Sequence, residues 1–449
     1  MPLLEVKNGN KTGVTLVKKV ILYPGDERSV ELTNKFGGTQ EESGEFNIWK
    51  LTPAFSSMIG MLDMMSDIVK FQCQKMMNDK ELLDKLRAEE FDLGIAEPLG
   101  ICQFVLFDEL QIPATIAAES TAPMPLISRI IGEPQLVSNV PGVFSEFGDK
   151  MTLAQRTINL AGSLFGFYFA NFIFAKELDS IESVVGKKEY AELISKTSYV
   201  FVNSHPYLDF PFPALPKTVL IGGITVSPKS KNSELSEKWQ EILSRRSKNV
   251  LISFGSNVRS MDMPEEYRQS FFQMFESMPD TTFIWKFEKK NATIADAYDN
   301  VPVMGDQKRN AEMLLRHEVA LPLQKEDLEN ANKLINTVRE VINNDKYRKK
   351  AERLAEILKS RPTSSKDMDE RHVHLAQGST LEDACSADLS ECRSVCDVMF
   401  GLEKPLSGED YDDTDQSENE NSEEGEAYES SKGPFGNDGM SESIDIEQE

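Results

Sequence analysis

The 449-residue chain carries 49 Lys and Arg against 74 Asp and Glu, a net charge of −25, with 40% hydrophobic and 8% aromatic residues. That is ample apolar material for two globular cores. The acidity argues against a nucleic-acid partner and against a basic membrane-binding patch.

Residues 1–5 show no charged and apolar leader pattern, so a secretory signal is not expected there. Residues 55–77 read as a helix with methionine at positions 58, 61, 64, 65, 76 and 77. Flexible thioethers suit either a pocket for varied lipophilic molecules or a plastic core helix. A strand is expected over 91–96, a helix over 103–110 and a second strand over 112–117. Glu97 then stands at a strand's carboxyl end, where open α/β sheets place their ligands. Alone, such an acid is equally a charge complementing the next helix dipole. From 157 to 175 nineteen residues pass without a charge, long enough to cross a membrane. Asn159, Ser163 and Asn171 interrupt the run inside a domain, which points to a buried or interfacial helix instead.

The next strand is expected over 199–203, followed by His205 in a Ser-His-Pro turn at the surface. A proline-rich run over 206–216 and a strand through 221–224 lead across a hinge. Residues 250–254 and 282–287 read as strands flanking a helix over 264–278, with Tyr267, Phe271, Phe272 and Phe275 at helical spacing. Gly255-Ser256 closes the first of these strands, the usual place for a phosphate or nucleotide. Gly305-Asp306-Gln307 opens another helix and sets a carboxylate beside an amide, a pair suited to adjacent sugar hydroxyls. By itself this is an ordinary solvated helix start. Helices follow over 328–343 and 345–359, and Pro362 stops the second. Residues 364–376 are expected to return toward the first domain.

From 401 to 449 seventeen acids face Lys404 and Lys432, so the tail is expected to be disordered and solvated. The five cysteines, at 73, 102, 385, 392 and 396, define neither a disulfide framework nor a zinc pattern. No metal site is expected.

In order, Ser253-Phe254-Gly255-Ser256, Phe283-Ile284-Trp285-Lys286 and Gly305-Asp306-Gln307-x-x-Asn310-Ala311 resemble the UDP-glycosyltransferase family, in particular its glucuronosyltransferase branch. The resemblance implies an α/β chain of GT-B type, two Rossmann-like domains facing a cleft. Residues 1–216 would form the acceptor domain, without its first strand, and 217–224 the hinge. Residues 225–376 would form a shortened donor domain with C-terminal helices, and 377–449 the acidic tail. It further implies transfer of a sugar, with inversion, from UDP-glucuronic acid or UDP-glucose to a hydroxyl of a small lipophilic acceptor. Asp306, Gln307 and Asn310 would hold the donor sugar side, Gly255 and Ser256 the diphosphate side. The UDP-sugar is a co-substrate, and no cofactor is implied. Family members imply homo- or hetero-oligomers, an endoplasmic reticulum membrane location and a detoxification role.

The chain departs from the family pattern in three places. A Trp-x-Pro-Gln segment and a His-Gly-Gly loop are missing where Tyr298-Asp299-Asn300-Val301 runs into Pro302. The N-terminal histidine that serves as general base has no counterpart, since the four histidines are His205, His317, His372 and His374. Glu97 matches the carboxylate that would orient it. The apolar anchor is replaced by the acidic tail, so a soluble chain is also an expectation. The alternative is therefore a catalytically impaired, shortened isoform or gene-model fragment that binds small molecules or partners.

Overall fold

A computed structural model describes residues 19–37, 49, 55–143, 145–224, 235–254, 260–287, 307–361 and 365–376. The acidic tail lies outside them.

The described residues begin with α1 (Glu27–Gly37), α2 (Phe55–Asn78) and α3 (Lys80–Arg87), the last started by Asp79, whose side chain accepts from Leu82 N. The first sheet then opens with β1 (Leu93–Ala96), α4 (Cys102–Glu109) and β2 (Ala114–Glu119). Gly94 permits the close approach of α4, since a Cβ there would meet the Phe107 ring at 2.8 Å. After α5 (Pro125–Ile131) comes the 33-residue α6 (Leu153–Val185), started by a reciprocal Thr152–Gln155 capping box. Next are α7 (Tyr190–Ser195), β3 (Tyr199–Val202) and β4 (Thr218–Leu220). The four strands are parallel in the order β1-β2-β3-β4, with Leu93 opposite Ala114, Ile116 opposite Tyr199 and Val200 opposite Thr218. The near-continuous apolar run in β2 is what a strand covered on both faces requires. On one face Cys73, Met77, Phe104, Phe174, Ile181 and Ile194 form the larger core. On the other, Ile116, Phe201, Val219 and Ile221 meet Val373.

The second sheet pairs β5 (Lys248–Ile252) and β6 (Thr281–Trp285) in parallel, after α8 (Glu237–Ser244) and around α9 (Glu265–Ser277). Its core is aromatic: Trp285 is 2% exposed among Phe271, Phe272, Phe275 and Phe287. Its indole donates to Ser260 Oγ at 3.1 Å, satisfying a buried N–H. Trp49 reaches this core from the early part of the chain, edge-on to Phe254. The chain ends its described part with α10 (Gln307–Arg316), α11 (Ala331–Asn343), α12 (Asp345–Lys359) and α13 (Ser365–Ala376). α13 packs on β2, β3 and β4 of the first sheet. The α/β expectation is met by two parallel sheets with their helices.

Three expectations are corrected. The strand sought over 221–224 lies at Thr218–Leu220, because Gly222 and Gly223 form a turn, Gly223 with φ +86°. His205 is not a surface residue but is 9% exposed, with Nδ1 accepting from Tyr207 N at 3.2 Å. Cys73 and Cys102, too few in the folded body to define a disulfide framework from the sequence, form a disulfide joining α2 to α4. As for the open choice at 55–77, α2 is a core helix burying Leu62, Ile68, Cys73 and Met77.

α6 divides. Its second half buries Ala170, Ile173, Phe174, Leu178 and Ile181, whereas Leu153, Ile158, Leu164 and Tyr168 on the first half are exposed. It is the one helix among the described residues long and apolar enough to cross a membrane.

Candidate functional site

The carboxyl ends of β1, β2 and β3 carry the polar residues of the first sheet. Glu97 follows β1 directly, half-buried, and its Oε1 accepts from both the hydroxyl and the backbone N–H of Ser120, just past β2. Asn203, just past β3, donates from Nδ2 to Ser120 O at 3.0 Å. Glu119, the last residue of β2, is 2% exposed and accepts from Met124 N at 3.2 Å. Burial, with the nearby negative charges of Glu133 and Glu97, holds its carboxyl well above the usual carboxylate range.

A second buried acid lies at the start of α4. Glu177 of α6 is 1% exposed and accepts from Ile101 N at 2.6 Å, using donors that a helix N-terminus leaves unpaired. Burial pushes its pKa up to about 7, against the lowering effect of the Ile101 and Cys102 amides. Gly100 makes room for it, since a Cβ there would lie 2.8 Å from Glu177 Oε1.

α10 begins at Gln307 and is fastened to the loop after β3. The Arg309 guanidinium, 3% exposed, contacts Asp209 Oδ1 at 2.6 Å, donates from Nε to Pro141 O and lies over the Phe210 ring. Asp209 also accepts from the Ser204 hydroxyl and Phe210 N, each at 2.6 Å. Two turns on, Arg316 donates to Asp209 O and pairs with Asp149, and His317 Nε2 donates to Leu208 O at 2.9 Å. Arg361 and Ser365 make a second set of ties, to Leu220 O and Gly222 O.

Of the residues singled out in the sequence, Glu97 is at the carboxyl end of β1 as expected. Gln307 starts α10 and Asn310 is half-buried on it. Gly255, Ser256 and Asp306 lie outside the described residues. His205, His317 and His372 are each engaged elsewhere, His372 against Tyr199. Sequence reasoning missed Glu119, Glu177, Asp209 and Arg309. A signal existed for two of them: Glu119 ends an apolar strand, and Glu177 follows directly on the long uncharged run at 157–175.

The sequence pattern of the family described as "UDP-glucoronosyl and UDP-glucosyl transferase" matches residues 6–298 and 299–372. The chain belongs to this family. Among its relatives, "UDP-glucosyltransferase 2" of Dactylopius coccus is 26% identical over 340 residues, covering 66% of this chain and 65% of that protein. Human "UDP-glucuronosyltransferase 1A6" is 23% identical over 343 residues, covering 66% of this chain and 62% of that protein. The chain thus spans a little under two-thirds of these relatives' length. Among solved structures, the glycotransferase of kitacinnamycin is similar at 14% identity and a TM-score of 0.44, covering 76% of this chain and 84% of that one. The two stretches of the family match abut between Tyr298 and Asp299. The two parallel sheets agree with the GT-B architecture expected of the family.

Proposed function

We propose that this family member binds UDP-glucuronic acid or UDP-glucose and transfers the sugar to a hydroxyl of a small lipophilic acceptor. The acceptor oxygen attacks the anomeric carbon opposite UDP and the carbon–oxygen bond to UDP breaks. Its electron pair leaves on the diphosphate, the hydroxyl proton passes to a base, and the configuration inverts. The observation that supports this reading most is the family match running through both sheets with Glu97 at the carboxyl end of β1. Asp306, Gln307 and Asn310 are assigned to the donor sugar, and Gly255 and Ser256 to the diphosphate. Helix N-termini and backbone N–H groups supply the charge compensation, so no metal is required. By the same reading the protein acts on lipophilic compounds in detoxification, at the endoplasmic reticulum membrane, alone or with family partners. The Cys73–Cys102 disulfide suits an oxidising lumen, and α6 supplies a membrane-length helix.

A second reading rests on Glu97 itself. Its partner is the Ser120 hydroxyl rather than an imidazole, and a bare carboxylate is a weak base for an alcohol near neutral pH. On this reading the chain binds donor or acceptor without turnover. Calorimetric titration with UDP-glucuronic acid and UDP-glucose, beside a single-turnover assay with a phenolic acceptor, separates the two. Heat with product supports transfer, and heat without product supports the binder. No heat at millimolar concentration from either nucleotide sugar overturns donor binding in both.

A further inference from the structure

We propose that Glu177 is a positioning residue for Glu97: from α6 it takes the amides at the start of α4, and so holds the turn that sets the Glu97 carboxylate on Ser120. This role rests for its functional meaning on the transfer reading above, in which Glu97 is the family's orienting carboxylate. The placement itself does not require turnover.

The first N–H groups of α4, which begins at Cys102, have no partner within the helix. Glu97 precedes Cys102 by five residues, and an acid so placed in the chain complements a helix dipole. The fold gives that task to a different acid. Ile101, at the cap position of α4, has no side-chain cap, and Glu177 accepts from Ile101 N at 2.6 Å and from Cys102 N. Glu97 turns instead to the hydroxyl and N–H of Ser120, just past β2.

The turn is shaped around the buried carboxylate. Gly100 is buried and Ile101 is 0% exposed. A Cβ at Gly100 would lie 2.8 Å from Glu177 Oε1 and 3.0 Å from Oε2, so only a glycine leaves both oxygens their place. Lys176, the neighbour of Glu177 on α6, pairs with Asp63 and Asp67 of α2, which leaves the α4 amides as the partners of Glu177. A buried amide without an acceptor is costly, so the Ile101 backbone follows the carboxylate. Pro98 to Ile101 are all that separate Glu97 from α4, and a displacement at Ile101 passes to Glu97 within that one turn.

The test reads the Ser120 N–H, which donates to Glu97 Oε1, by NMR of the ¹⁵N-serine-labelled full chain at neutral pH. Ser120→Ala deletes the signal and so identifies it. In the parent, Glu97→Gln should move this signal. In a Glu177→Ala background the same substitution should move it at least about two-fold less, because a hydrogen bond weakens steeply once its geometry is lost. Glu177→Gln keeps a carbonyl acceptor for the α4 amides, and in its background the full movement should return. Gly100→Ala displaces the Glu177 carboxylate without altering it and should act like Glu177→Ala. Combining Gly100→Ala with Glu177→Ala should lose no more than either alone, since both act through one contact. An undiminished movement in Glu177→Ala or in Gly100→Ala overturns the proposal. So does a Glu177→Gln background no better than Glu177→Ala, or a parent signal indifferent to Glu97→Gln. If Glu177→Ala fails to fold, Gly100→Ala beside Glu177→Gln decides. The expected pattern in a chain that forms no product upholds the positioning and overturns the transfer reading alone.

Discussion

Removing the carboxylate of Asp209 should loosen α10 from the first sheet. Asp209 is 7% exposed and Arg309 2%, and their contact is 2.6 Å. Asp209→Ala leaves the guanidinium buried with Pro141 O as its remaining acceptor, 3.2 Å from Nε. Breaking a buried pair from one side costs about 3–5 kcal/mol, because the other charge is left without compensation. The Ser204 hydroxyl and Phe210 N also lose their acceptor, which favours the upper part of that range. Arg316 to Asp149 and His317 to Leu208 O survive the substitution, so α10 is loosened rather than detached. Native-state amide exchange is the suitable assay, since it reads local opening without requiring the whole chain to unfold in one step. At about 1.4 kcal/mol per ten-fold, exchange in α10 should accelerate about a hundred- to several-thousand-fold while α2 stays unchanged. Asp209→Ala combined with Arg309→Met removes both charges and should restore most of the protection. Exchange in α10 within about three-fold of the parent, or a double variant faster than the single, would refute the reasoning.

The Cys73–Cys102 disulfide, with a sequence separation of 29, should contribute about 3–4 kcal/mol by restricting the unfolded chain. Replacing both cysteines with Ala should lower the thermal midpoint of the parent and abolish its response to reductant. Burial raises the Glu177 pKa from 4.5 to about 7, so the folded state holds the proton more tightly than the unfolded one. Its contribution is full below the unfolded value and lost as pH rises through about 7. Glu177→Gln should therefore flatten the fall in denaturation midpoint between about pH 5 and pH 8. Gly222→Ala would set a Cβ 2.5 Å from the Ser204 carbonyl carbon, a backbone contact that no rotamer relieves. It should cost about 1–3 kcal/mol in a melting experiment. It should also raise exchange in α13, whose Ser365 hydroxyl donates to Gly222 O.

The elements legible in the sequence were those with strong local signals. The alternation of strand and helix over 91–117 gave β1, α4 and β2 within two or three residues, and the aromatic spacing over 267–275 gave α9. Glu97 was legible because a strand end can be located from hydrophobicity alone. What the sequence hid depends on partners distant in the chain. Arg309 stands 100 positions from Asp209 and 168 from Pro141, and nothing near either residue announces the pair. The disulfide was hidden for the same reason, since its geometry exists only once α2 lies beside α4. His205 looked like a turn residue because the turn is real; α13, arriving from 160 positions later, covers the neighbouring turn at Gly222.

These distant contacts tie the start of α10 to the carboxyl ends of the first sheet's strands. Ser120 binds Glu97 through its hydroxyl and receives Asn203 at its carbonyl. Ser204, the next residue, donates to Asp209, and Asp209 holds Arg309 on α10. Gln307 lies two positions before Arg309, so the backbone that carries it is fixed through a hydrogen-bonded path that begins at Glu97. A change at Asp209 should therefore disturb the geometry between Glu97 and the start of α10 although it touches neither residue. Position along the chain separates these two chemistries by some two hundred residues. The Arg309–Asp209 pair removes that separation.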